Sequence, residues 1–437
     1  MSAPRSEPAA PSPEAQPQLV RAVSRWQVVG LSINDVIGSG IYLLPAATVL
    51  LLGPASLWAV LLAGFAVALL VLCYAQASSY FDQPGGSYLY AREAFGPFVG
   101  FEIGWMVWLT RITSAAALSN GLADAVSRFW PAAAEGPARL LVVVGSLALL
   151  TVINVVGIRS AARTGVALVI GKLVPLLLFI AIGAFYIDLD LLRAGEPPPL
   201  RNLGEAALLL LFAYAGFENI PAAAGEFRNP RRDVPFALIT MIAFVTLIYA
   251  AVQVVAQGTL PGLANSITPL ADAAFSFSGQ TLALVLTVGA VISILGTNQN
   301  TMMLGPRVLY ALSLDGFGPR MLSRIHPRFH TPAAAILTQA GFALVLALSG
   351  SFVQLAMLSV VARLFAYIGT CLAVMVLRRK HGHRSDVLQL PGGNAIPIAA
   401  LLVALGLLAS ATVANLVAGA VALVVGAVVY KLQRKVA

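Results

Sequence analysis

Cysteine and histidine are scarce in this chain, with two and four among 437 residues. Cys73 and Cys371 both fall in apolar runs, without the spacing of a zinc site or a disulfide framework, and read as small buried hydrophobes. His326, His330, His381 and His383 stand in polar connectors beside arginines, which leaves no histidine for chemistry at membrane depth. Metal and cofactor chemistry therefore has no candidate ligands, and no nucleophile–base spacing points to an enzyme. Charge is scarce too. Charged residues make up 10% and hydrophobic residues 59%, with a mean hydropathy of +0.87, which excludes a water-soluble globular fold.

What the sequence holds instead is apolar runs recurring from residue 27 to residue 430, each near the roughly 20 residues that span a bilayer core. They leave room for about twelve helices, an all-α polytopic membrane protein whose partner is the lipid bilayer. The net charge of +9 is spread over loops with no basic domain, so it does not point to nucleic acid. Lys and Arg gather in alternate connectors, whereas the opposite connectors hold Arg128, Arg139, Arg193 and Arg201, which places both termini in the cytoplasm. Residues 1–24, Pro- and Ala-rich, are expected to form a disordered cytoplasmic tail, since they lack a signal peptide's apolar core. The Ala-rich composition and the absence of glycosylation-type loops suggest a bacterial inner membrane.

Two spans are interrupted. The first reads SINDVIGSGIYLLPA, with Gly38, Ser39 and Gly40 inside an apolar stretch; the sixth reads LLLLFAYAGFENIPAAAGEF, with Gly216, Glu218, Asn219 and then Pro221, which suits the first turn of a new half-helix. Backbone that leaves the helix at midplane survives only where it lines a cavity, because lipid cannot satisfy the freed amides and carbonyls. The second break opens a set of five spans about 180 residues after the first, the footprint of an inverted repeat around a central binding site. A channel would need a continuous polar lining, and here the charges cluster near the breaks.

Four segments, GSGIYLLPA, DQPGGSYLYAREAFGPFVG, FAYAGFENIPAAAGEFRNPRRDVPFAL and GPRVLYALSLDGFGPRMLSRIHP, come in the order and positions that make the chain resemble the amino acid-polyamine-organocation (APC) transporter family over most of residues 26–380. The resemblance implies a LeuT-like fold, with repeats at 25–190 and 203–378 and two extra helices at 394–431, moving amino acids or related amines by alternating access. It implies substrate contacts at Gly38, Ser39, Gly40 and Ile41, where the amides and positive dipole end of a half-helix suit a carboxylate. It also implies an ammonium site at the carbonyls around Val36, Phe212, Ala215 and Gly216, an aromatic gate at Phe212 and a selectivity position at Asn300.

Lys172 lies about eight residues into its span, roughly 12 Å deep, where a charge is costly. Either its stem snorkels back to the interface or, as the resemblance implies, its ammonium stands where sodium sits in sodium-coupled relatives, giving a sodium-independent cycle. Glu218 is open to two readings, a cap for the half-helix amides and a proton-coupling acid. Asp35, Arg111 and Arg363 depart from the pattern expected for a simple neutral substrate. Asp35 could attract a cationic amine or bond to the broken backbone. Arg111 could hold a second substrate carboxylate or pair with Asp35 or Glu218, the latter favoured by the cost of unpaired charge. Arg363 shares an i, i+4 stripe with Ser359 and Tyr367, and Glu102 is expected outside the site. The charges in the loop with Glu226, Arg228, Arg231 and Arg232 read either as an inward-gate latch or as a plain positive-inside loop.

A secondary amino acid transporter, working by proton symport or exchange, is the leading reading. A cationic amine or polyamine exchanger is the alternative within transport, and a non-transporting amino-acid sensor the alternative outside it.

Overall fold

The computed structural model describes residues 21, 23–83, 85–156, 161–193, 198–382 and 387–434, with the side chains at 161–168, 225, 226 and 434 outside the description. Most of the expected tail 1–24, His383, and the side chains of Thr164 and Glu226 thus lie outside the described residues.

Among those residues the secondary structure is helical, apart from one isolated parallel bridge between Val23 and Phe227. The first span is two helices, α1 (Arg25–Val36) and α2 (Ser39–Leu52); α3 (Ser56–Ser79), the short α4 (Gly86–Phe95), α5 (Pro97–Val126), α6 (Gly136–Val156) and α7 (Ala161–Gly183) follow. The sixth span is α8 (Leu200–Ala213) continued by a 3₁₀ helix, Phe217–Glu226. Then come α9 (Pro230–Thr259), the short α10 (Pro269–Ser278), α11 (Gln280–Leu314), α12 (Ala333–Ala347), α13 (Phe352–His381), α14 (Ala395–Ala409) and α15 (Val413–Arg434).

Eight helical stretches are long and apolar enough to cross a membrane, from Ser39–Ser79, which joins α2 to α3, to Val413–Gln433; α12 and α14 are apolar but shorter. α5 has the length, at 30 residues, and carries Glu102, Arg111 and Asp124. Apolar residues cover the outside, as in Leu62, Phe65, Leu141 and Val424, each more than half exposed. In water such a surface would be an aggregation hazard; in a bilayer it is the contact face. The chain is a polytopic membrane protein.

The order of elements repeats. A broken helix, a long helix, a ten-residue helix and three further helices (α1/α2 to α7) are followed by the same series (α8 and its 3₁₀ continuation to α13). Elements at matching places pack on each other, α3 on α9 and α5 on α11, and the second half of the first span packs on the first half of the sixth, α2 on α8. α5 runs through the middle, against α11 on one side and α13 on another.

At the end of the bundle where α1 begins, polar contacts tie the elements together. The Arg25 guanidinium sits 2.9 Å from the Asp233 carboxylate on α9 and over the Phe236 ring, and the Arg228 amide donates to the Val23 carbonyl at 3.1 Å. The last residues of the expected loose tail are therefore strapped to the loop after the 3₁₀ helix. Arg231 of that loop lies 3.8 Å from Asp82, so at least one of its basic residues has an acidic partner. α4 is held twice. Tyr88 donates to Asp315, just past α11, at 2.5 Å, and Lys380 on α13 sits 2.5 Å from Glu93.

Candidate functional site

Each broken span leaves helical geometry over few residues. In the first, Ile37 is extended and Gly38 takes a conformation outside the helical region, after which Ser39 already begins α2. The interruption is thus narrower than the Gly38-Ser39-Gly40 stretch expected from sequence. Ser39, Gly40 and Ile41 form the first turn of α2, whose amides have no intrahelical acceptors. In the sixth span Gly216 has φ +132°, a conformation that disfavours any side chain. The segment beyond it is 3₁₀, not the α-helix that a first-turn Pro221 suggested; Pro221 lies inside it. A 3₁₀ turn is the usual short substitute where α-helical bonding fails, and a mid-element proline removes one such bond.

The two breaks touch through backbone. A Cβ added at Gly216 would stand 2.5 Å from the Asp35 carbonyl oxygen, and one at Gly40 would stand 2.5 Å from Cα of Ala213. Both glycines are required by this close approach. The helix ends on either side are satisfied from neighbouring elements. The Tyr249 hydroxyl, on α9, lies 2.9 Å from the Ala213 carbonyl and 3.2 Å from that of Val36, bridging the C-terminal ends of α8 and α1. The Ser293 hydroxyl, on α11, lies 3.2 Å from the Ile37 carbonyl and 3.3 Å from that of Gly38. The Glu218 carboxylate accepts from the Gly216 amide at 3.0 Å.

Between the breaks and α5, α11 and α13 lies a small cavity lined by residues of both breaks and of these three helices. Asp35, Val36, Gly38, Ser39, Gly40, Phe212, Ala213, Ala215, Gly216 and Asn219 come from the breaks; α5 adds Arg111, Ser114 and Leu118, α11 adds Thr297, Asn300 and Thr301, and α13 adds Arg363. The Phe212 ring meets Phe352 edge-on, with centroids 5.8 Å apart.

Lys172 does not snorkel. It is 1% exposed, and its Nζ donates to the Asn34 carbonyl at 3.0 Å and to the Thr297 hydroxyl at 3.2 Å, so the ammonium joins α7 to the end of α1 and to α11. The four consecutive polar residues of α11 point four ways, as 100° per residue requires. Thr297 meets Lys172, Asn298 donates to the Ser119 hydroxyl on α5, Gln299 pairs with Asn154 on α6, and Asn300 donates to Asp35 at 2.6 Å.

Arg111 makes no direct ion pair with Asp35 or Glu218 among the described residues, although both acids lie near enough to act on its charge. Glu218 is taken by Arg363, at 3.4 Å with both side chains 5% exposed, and by the Tyr367 hydroxyl at 3.1 Å. Arg363 also donates to Ser114 at 3.2 Å. Asp35 has Asn300. The direct partners of Glu218 thus both come from α13, Arg363 and Tyr367, and not from Arg111 on α5.

Residues 23–433 match the family model described as amino acid permease. The chain belongs to the amino acid permease family. Among curated relatives of this permease-family chain, the methylthioribose transporter of Bacillus subtilis (strain 168) is 29% identical over 87% of this chain and 86% of its own length. The branched-chain amino acid permease BcaP of the same organism is 28% identical over 95% and 94%, and its serine/threonine exchanger SteT is 28% identical over 91% and 92%.

Of the residues singled out from sequence, the cavity wall brings together Asp35, Val36, Gly38, Ser39, Gly40, Arg111, Phe212, Ala215, Gly216, Asn300 and Arg363. Ile41 does not reach it; it is buried in the core instead, one residue beyond the close contact at Gly40. Lys172 and Glu218 stand behind the wall. Trp105 donates to the Ala422 carbonyl on α15, and Glu102 packs beside Gly426 on the same helix, away from the cavity. Tyr249, Ser293 and Ser114 were not legible as site residues: a hydroxyl in an apolar span carries no signal until its neighbour is known.

Proposed function

We propose that the chain is a secondary active transporter that carries amino acids across the cytoplasmic membrane by alternating access, independently of sodium, by proton symport or by exchange. The observation that carries this reading is the cavity walled by both helix breaks, where the first turn of one half-helix and the C-terminal ends of two others line the same space. The first turn of α2 takes the substrate carboxylate, and the carbonyls around Val36, Phe212 and Ala215 take the ammonium, with Phe212 closing over them. The Val36 carbonyl has two lone pairs, so the bond from Tyr249 leaves one for substrate.

Twelve spans, a LeuT-like arrangement with repeats at 25–190 and 203–378, extra helices at 394–431 and cytoplasmic termini complete the proposal. The repeated element order, and the packing of α3 and α5 on their counterparts α9 and α11, support it, since elements related by a two-fold axis meet at that axis. The burial of the Lys172 ammonium against the end of α1 and α11 supports the role the family resemblance implies for it, standing in for the sodium of sodium-coupled relatives, and so favours sodium independence. The names of the permease and the exchanger among the relatives favour amino acids as the cargo. Proton coupling would run through Glu218, whose protonation would release Arg363 and the α8 break together.

The test is uptake of a labelled amino acid panel into proteoliposomes under an imposed pH gradient, with sodium replaced by choline, and with counter-substrate inside. Saturable uptake that ignores sodium supports the proposal. Binding without flux in every configuration would leave a sensor in place of a transporter.

A further inference from the structure

Charge at the site does not balance. Glu102 lies beside α15 and takes no part in the cavity, so the ionic groups around the two breaks are Lys172, Arg111 and Arg363 against Asp35 and Glu218. One positive charge is left over. Among the three cations, Arg111 is the one that lines the cavity without a direct partner, although the Glu218 and Asp35 charges act on it from a distance. Lys172 has the Asn34 carbonyl and the Thr297 hydroxyl, Arg363 has Glu218 and Ser114, and Asp35 has Asn300. Arg111 is 6% exposed, its Nε has no partner, and its guanidinium makes no ion pair or hydrogen bond among the described residues, yet it lines the cavity.

We propose that Arg111 forms a subsite for an anionic side chain, so that the preferred substrate is an acidic amino acid whose second carboxylate rests on this guanidinium. The inference rests on the transport reading of the same cavity. A buried cation without a direct counter-charge is costly, and an arriving carboxylate offsets it, whereas a cationic substrate would raise the site's excess positive charge further. The planar fork of a guanidinium matches a carboxylate with two parallel hydrogen bonds. Ser114 and Asn300, from the same walls, supply further polar atoms near the subsite. The backbone of the two breaks remains free for the α-carboxylate and α-ammonium, so both ends of the molecule and its side chain find partners at once.

The experiment is a competition and uptake series in proteoliposomes with the full chain, using labelled L-glutamate and L-aspartate, and L-glutamine, L-asparagine, L-leucine and L-lysine as labelled substrates and competitors. The expected result is saturable uptake of an acidic amino acid that its amide competes for weakly. Arg111→Gln should raise KM for the acid by about tenfold or more while affecting the matching amide less, and Arg111→Lys should retain part of the preference. If the parent protein carries neutral or cationic amino acids and is indifferent to excess glutamate and aspartate, the anionic subsite is wrong and transport stands. If no amino acid moves in any configuration, the transport reading falls and takes this inference with it. Should Arg111→Gln fail to fold, the parent's own competition profile decides between the outcomes.

Discussion

Lys172 holds the end of α1 from a helix more than a hundred residues away in sequence, through bonds of 3.0 and 3.2 Å to Asn34 and Thr297. A methionine of similar length would keep the packing and remove the ammonium. Lys172→Met should therefore lower proteoliposome uptake more than tenfold, by leaving a buried carbonyl without its charged donor, while the purified protein remains monodisperse. Unchanged uptake would reduce the lysine to a space filler. Glu218→Gln makes a sharper distinction. The amide oxygen can still accept from Gly216 and Tyr367, but Arg363 loses its counter-charge, and removing one member of a buried pair costs about 3–5 kcal/mol. The variant should melt earlier in detergent, and the double variant Glu218→Gln, Arg363→Met should recover part of that loss. That these residues mattered was readable from sequence, because a charge at membrane depth is conspicuous. Which of them pair was not. Helical periodicity ranks the faces of one helix, but it does not say which face of α5 or α13 turns toward the 3₁₀ helix, and so Arg363, not Arg111, meets Glu218.

At the level of elements, glycine and proline revealed both breaks, and their positions are where the structure has them. Their internal form was less legible. The α1/α2 break is confined to Ile37 and Gly38, and the second half of the sixth span is 3₁₀, because backbone contact at Gly40 and Gly216, which depends on the partner segment, shapes both. Span lengths followed from apolar runs, and α4 appeared only as part of a connecting loop. That helix clamps one end of the bundle to α11 and α13. Burial and the Asp315 carboxylate push the Tyr88 phenol up to about 12, so it stays a hydrogen-bond donor at neutral pH. The hydrogen bond from Lys380 holds the Glu93 carboxyl below the usual carboxylate range. A lowered folded-state value means that this stabilisation is present above the ordinary carboxylate range and is lost as pH falls through the lowered one. Hydrogen exchange in α4, corrected for intrinsic rates, should rise modestly on such acidification. Lys380→Ala should raise it at neutral pH, a small effect because both partners are half exposed. Exchange that ignores both changes would remove the pair from the clamp.

For the whole molecule, two similar series of elements meet at one cavity, and the family match extends from residue 23 to residue 433. The central claim is that this cavity holds the amino acid and is reached in turn from each side of the membrane. Leu118 stands in its wall on α5 and carries no charge or hydrogen bond on which the fold depends, whereas Cys73 and Cys371 are fully buried and offer little background reactivity. The measurement is labelling of Leu118→Cys with a membrane-impermeant thiol reagent, applied from either face of sealed vesicles, with and without transported amino acid. The account predicts labelling from both faces and protection by substrate at its transport KM. Labelling that no transported amino acid slows, or access from one face alone under every condition of active uptake, would contradict it.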